Sequence, residues 1–154
     1  MVALVAGFEP ASAGTLTPLR PSDLITLQAS SDQPTGSGCA FGAPFAKLLQ
    51  ADGTQNTFAG IPAGQVLIIT EVDFYAYGVL SNQIILGSIE IENGAGYSEV
   101  LRAVAYSNNA GQAAANLAIP DGLPVKPGPG ICFAINSSSS AMKATLHGYF
   151  TVDR

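Results

Sequence analysis

Charge is scarce in this sequence. Only 11 % of its 154 residues are Asp, Glu, Lys or Arg, where an ordinary soluble domain carries about 25 %. A lone copy would present a poorly charged surface, and the simplest physical remedy is to bury part of it against other subunits. Basic residues are scarcest: six Lys and Arg against eleven Asp and Glu, a net charge of −5. With no basic patch, the chain lacks the electrostatic footprint of a nucleic-acid binder. No apolar run approaches the roughly 18 residues of a membrane-spanning helix, so no membrane insertion is expected. Residues 1–8 are apolar, but no positive residue precedes them and Glu9 and Pro10 interrupt the run. They read as part of the protein rather than as a signal peptide.

Reactive side chains are equally few. There is one histidine, His147, and no Gly-x-Ser-x-Gly elbow, so a catalytic triad lacks members. One His and two distant cysteines make no zinc motif. No catalytic residue, metal ligand set or cofactor can be nominated, and the chain reads as a non-enzyme. Tryptophan is absent, which weakens a lectin reading. Cys39 and Cys132 admit two readings. A disulfide between them would close a long loop, contribute about 3–5 kcal/mol in the chain-entropy model and imply an oxidising compartment. The alternative is two buried thiols acting as small hydrophobes.

What is present points to strands and turns. The 17 Gly and 10 Pro are spread along the chain, where they punctuate turns and weaken helices. Residues 1–44 read as an extended N-terminal arm with at most one strand, at 24–28. Residues 45–154 read as the folded domain. Strands are expected at 45–50 and 57–61, then over residues 66–77, where alternation is clean over twelve residues. There Val66, Ile68, Thr70, Val72, Phe74 and Ala76 would share one face. Leu67, Ile69, Glu71, Asp73, Tyr75 and Tyr77 would share the other. Residues 84–92 and 97–106 read as a hairpin, with Val100, Val104 and Tyr106 on one face. A short strand at 113–119 is broken by Pro120-Asp-Gly122, and three prolines confine residues 123–130 to an edge or a rigid connection. Residues 131–136 and 141–152 complete the set. About eight strands with no helical period predict an all-β, antiparallel sandwich of jelly-roll type.

Two segments carry a resemblance. Ile61-Pro-Ala-Gly-Gln-Val-Leu-Ile-Ile-Thr-Glu-Val72, a Pro-x-Gly turn feeding a long apolar strand, resembles uncharacterised bacterial and phage β-sandwich proteins. The final Leu146-His-Gly-Tyr-Phe-Thr-Val152 is similar to the last strand of trimeric jelly rolls of the tumour-necrosis-factor and C1q kind. The resemblance covers residues 57–152. It implies a jelly roll and a trimer, and it carries no catalytic residues.

The candidate ligand or interface residues are Tyr75, Tyr77, Tyr106, Asn108, Asn109, His147 and Tyr149. Glu71 with Asp73, and Glu90 with Glu92, are same-face pairs that could hold calcium if their strands were neighbours. The leading expectation is a self-associating homo-oligomer, a trimer by preference. It would be a virion component such as a capsid decoration or spike, or a protein of the cell surface or exterior, in contact with other virion or surface proteins. The alternative is a carbohydrate-binding jelly roll that holds glycans at loop tips, at residues 106–112 or 137–140.

Overall fold

A computed structural model describes residues 24–31, 39, 42–50, 52–92, 96–136 and 141–153. The chain is an all-β, antiparallel sandwich. Its strands in order are β1 (Leu24–Ser30), β2 (Ala43–Pro44), β3 (Lys47–Leu49), β4 (Gln55–Thr57) and β5 (Gln65–Tyr77). They continue with β6 (Ile84–Glu92), β7 (Tyr97–Tyr106), β8 (Gln112–Val125), β9 (Gly130–Ile135) and β10 (Ala141–Val152). The larger sheet has the order β4-β3-β1-β10-β5-β8, and the smaller β2-β9-β6-β7.

The pairings explain the architecture. β1 pairs with β10, β2 with β9, β5 with β8, and β6 with β7. The first half of the chain is thus zipped against the second as one antiparallel ribbon, and successive pairs alternate between the sheets. That is a jelly roll of eight strands. The short β3–β4 hairpin widens the larger sheet beyond β1. β1 and β2 fall within residues 1–44, yet they pair inside the two sheets, β1 between β3 and β10. The sandwich therefore takes in residues from Leu24 onward, ahead of the division at 44/45. Residues 1–23, 32–38, 40 and 41 of the expected arm lie outside the described residues. β4 occupies 55–57, ahead of the strand expected at 57–61, because Pro62 and Gly64 shape the turn into β5.

The core lies between the sheets. Leu27, Ala29, Ala144 and Leu146 meet Ile85, Ile89, Ile131 and Phe133 there, all buried. The Phe74 and Phe133 rings pack at 5.5 Å between centroids. Gly87 makes room for them, since a Cβ at that position would come within 2.8 Å of the Phe74 ring.

One irregularity changes which side chains face the core. His147 pairs with Glu71 but Gly148 with Ile69, so Thr70 is an extra residue in β5. On the other flank, Glu71 pairs with Ala118 and Ile69 with Leu123, so residues 119–122 of β8 bulge beside Thr70. A bulge shifts alternation by one residue. The face expected for Val66, Ile68, Thr70, Val72, Phe74 and Ala76 is therefore split. Leu67 and Ile69 join Val72, Phe74 and Ala76 in the core. Val66 and Ile68 instead pack with Tyr149 in a separate cluster. A second bulge does the same in β7. Ile89 pairs with Leu101 and Glu90 with Glu99, so Val100 leaves the face of Val104 and Tyr106 and packs on the core. β8 runs on to Val125 through its bulge rather than stopping at Pro120, and as the edge strand it tolerates Pro120 and Pro124.

Candidate functional site

Beyond the bulge, β5 turns Glu71, Asp73, Tyr75 and Tyr77 to the outer face of the larger sheet. The ladders set their neighbours. His147 lies opposite Glu71, Thr145 opposite Asp73 and Lys143 opposite Tyr75 on β10. Ala118, Asn116 and Ala114 lie opposite the same three residues on β8. The small alanines leave space beside the long side chains. The result is an open groove of about 420 Å³ lined by Asp73, Tyr75, Ala114, Asn116, Lys143 and Thr145. From Glu71 to Tyr77 the row runs about 20 Å, at roughly 3.3 Å per residue.

The polar groups of this face hold one another. Asn116 Nδ2 donates to Asp73 Oδ1 at 2.7 Å and also to Glu71 Oε1. One amide thus bridges two carboxylates that would otherwise repel. His147 Nε2 stands 3.5 Å from Asp73 Oδ2, and its Nδ1 is 3.2 Å from Thr26 Oγ1. Each ring nitrogen of His147 thus has a partner. Tyr75 and Tyr77 are 41 % and 47 % exposed, with ring centroids 6.2 Å apart.

Thr26, His147 and Asp73 stand in the order of a hydroxyl–imidazole–carboxylate relay. The strands that carry them, β1, β10 and β5, are interior strands of the larger sheet. The arrangement can bind and orient a ligand.

The candidate residues divide between the two sheets. Tyr75, Tyr77 and His147 share the outer face of the larger sheet. Tyr149 is on the same face but is buried against Val66 and Ile68, where burial raises its phenol pKa. Tyr106 lies on the outer face of the smaller sheet. Asn108 is engaged within its own turn: Oδ1 accepts from Ala110 N at 2.9 Å and Gln112 N at 3.0 Å, and Nδ2 donates to Gln112 Oε1 at 3.1 Å. The Asn109 carbonyl accepts from Ser81 Oγ at 3.1 Å. The Asn108 side chain is thus held within the turn, and residues 108–110 are exposed at its tip. Residues 137–140 lie outside the described residues. Asn116, Lys143 and Thr145 complete the groove and were not among the sequence candidates. The signal for Asn116 was a lone amide in an alanine-rich strand, which is faint.

The two acidic pairs do not converge. Glu71 and Asp73 belong to the larger sheet and Glu90 and Glu92 to the smaller, so four carboxylates cannot share a calcium ion. On the smaller sheet's outer face, Cys39 and Cys132 form a disulfide with Cα atoms 5.9 Å apart. Glu92 Oε2 is 4.0 Å from Cys132 Sγ, but with both sulfurs in the bond the trio offers no thiolate to a metal. Nearby, Glu90 is buried, and Ser88 Oγ donates to it at 3.2 Å. Its pKa is raised, chiefly by burial and further by the charges of Glu99 and Glu92, with the Ser88 hydrogen bond opposing. A carboxyl that holds its proton more tightly when folded stabilises the fold at low pH. That contribution is lost as pH rises from the ordinary carboxylate range, about 4, through the raised value. Glu90→Gln is therefore expected to raise the melting temperature at pH 7 and to leave it unchanged below about pH 4, which a pH series of thermal melts would show.

The other half of this outer face is apolar. Ile84 lies opposite Tyr106 and Leu86 opposite Val104. Ile84, Val104 and Tyr106 are 53 %, 54 % and 75 % exposed. β7 is the open edge of its sheet.

No protein-family model matches the sequence, and no curated protein matches it. Among solved structures, the chain is similar to the giant freshwater prawn Macrobrachium rosenbergii extra small virus (XSV) VLP, known by cryo-EM. The identity is 13 %, over 99 % of this chain and 97 % of that one, with a TM-score of 0.37. A likeness at that level does not bear on function.

Proposed function

We infer that this jelly roll is a non-enzymatic structural module that self-associates through the outer face of β6 and β7. The observation that carries the reading is the apolar patch of Ile84, Leu86, Val104 and Tyr106, whose side chains stand together on an edge hairpin. Contiguous exposed apolar surface of this kind marks contact sites, and an exposed aromatic residue within it is a usual anchor.

Two features support it. The long edge of the larger sheet, β8, is blunted by Pro120, Pro124 and its bulge. β7 has no proline, and beyond its own bulge at Val100 residues 101–106 form an open edge. The scarcity of charge extends the contact beyond the patch, because a stable interface buries about 1,600 Å² in total and four side chains supply only its centre. The assembly we propose is a homotrimer, as the jelly rolls its last strand resembles would form, in a capsid decoration or spike or in a protein of the cell surface, where other particle or surface proteins could adjoin it. The Cys39–Cys132 bridge suits such a place, since disulfides persist in oxidising surroundings. Jelly rolls occur in capsids and in lectins, so the fold alone does not choose; the patch supports the assembling reading.

Hydrogen exchange at increasing protein concentration tests the location. The amides of residues 103–106 are expected to slow as concentration rises, while those of β4, at the far edge of the other sheet, do not. Exchange in β7 that is independent of concentration would remove the proposed contact.

A further inference from the structure

We propose that the groove on the outer face of the larger sheet binds a neutral saccharide. It lies on the sheet opposite the apolar patch, outside the contact proposed above. Its volume of about 420 Å³ falls in the range of small-molecule sites, roughly 300–1,000 Å³. Its open form along the strands suits a chain of rings better than a single enclosed molecule.

The lining chooses among ligand classes. Asp73 accepts hydrogen bonds, Lys143 donates, Thr145 does both, and Asn116, whose amide hydrogens are taken by Asp73 and Glu71, accepts at Oδ1. Donors and acceptors alternating within a few ångströms match vicinal hydroxyls, each of which donates and accepts. Tyr75 and Tyr77, half exposed and side by side at one end, present aromatic faces to the C–H face of a pyranose ring. Anionic ligands fit poorly. Two carboxylates face a single lysine here, on a chain of net charge −5, so phosphates, uronates and nucleotides are repelled. A purely apolar ligand would leave these groups desolvated without partners.

The site is also held in shape before any ligand arrives. Asn116 fixes both carboxylates and His147 stands against Asp73. Three interior or paired strands carry the side chains, so little ordering is needed on binding. The glycan contact expected at loop tips thus has a better place on the sheet face. In a trimer, three grooves would bind a surface bearing repeated saccharides with avidity.

The test is an array of immobilised short neutral oligosaccharides, with sialylated and uronate-bearing ones beside them, followed by calorimetric titration with the soluble form of whichever is retained. The whole chain is used, as wild type, Tyr75→Ala, Asp73→Asn and Val104→Lys, each checked for an unchanged melting temperature. Retention of neutral oligosaccharides alone is expected. Tyr75→Ala and Asp73→Asn should each weaken the titrated affinity about tenfold or more. Val104→Lys should leave the affinity per chain unchanged whatever it does to the mass, which separates this site from the self-association contact. No retention of any neutral oligosaccharide overturns the proposal, as does an affinity that both groove variants leave intact.

Discussion

Replacing Cys39 and Cys132 together by serine is expected to destabilise the domain by about 4–5 kcal/mol. The two residues are 93 positions apart, and in the chain-entropy model the constraint a bridge places on the unfolded chain grows with the loop it closes. For a domain of this size each kcal/mol moves the melting temperature by about 2–4 °C, so the fall should be about 8–20 °C. The bridge also sits where the fold needs it. Cys132 pairs through its backbone with Pro44 of β2, a two-residue edge strand that contributes few ladder bonds of its own. Paired melts of the wild type with and without a reductant, and of the double variant, measure the effect. The reduced wild type and the variant should melt together. A shift of a degree or two would show that the ladders hold the edge unaided.

Alanine at Gly148 is the second large effect, expected to cost about 3 kcal/mol or more. Gly148 faces the core at the step where β10 changes register against β5. A Cβ there would collide with the backbone carbonyl of Ile68, and a backbone atom cannot swing aside as a side chain can. Relieving the clash means moving β5 away from β10 at the bulge that orients everything beyond it. Urea unfolding of Gly148→Ala should therefore show a much lower midpoint. A variant within about 0.5 kcal/mol of the wild type would mean that the two strands are not so close there.

The jelly roll was legible in the sequence because most of its strands alternate against turn residues. β10 is the clearest case. Met142, Ala144, Leu146, Gly148, Phe150 and Val152 read as one face; Met142, Ala144, Leu146 and Phe150 do lie on the core, whereas Val152, at the strand's end, is exposed. β5 was legible as a strand but not as two faces. Residues 66–69 are Val-Leu-Ile-Ile, apolar on both sides, so a slip of one residue leaves no trace in the pattern. Thr70 carries no mark of a bulge, and the partner's Pro120-Asp-Gly122 read as the end of a strand. The acidic pairs failed for a different reason. Same-face spacing is local, whereas neighbourhood is set by topology, and the ribbon sends β5 and β6 to different sheets. The groove was half visible. Tyr75, Tyr77 and His147 stood out by type, but Asn116 and Lys143 join them only through ladder register. β1 escaped notice as an interior strand because the Gly, Pro and Ser around it give the whole stretch the composition of an arm.

The central claim, self-association through the β6–β7 face, is tested most directly by native mass. Light scattering across a dilution series should be run on the full chain and on Val104→Lys, which places a charge in the patch and leaves the core untouched. The account predicts a trimer of the 15.7 kDa chain that persists on dilution for the wild type, and a monomer for the variant. A wild type that is monomeric at every concentration, or a variant that assembles as well as the wild type, would contradict it.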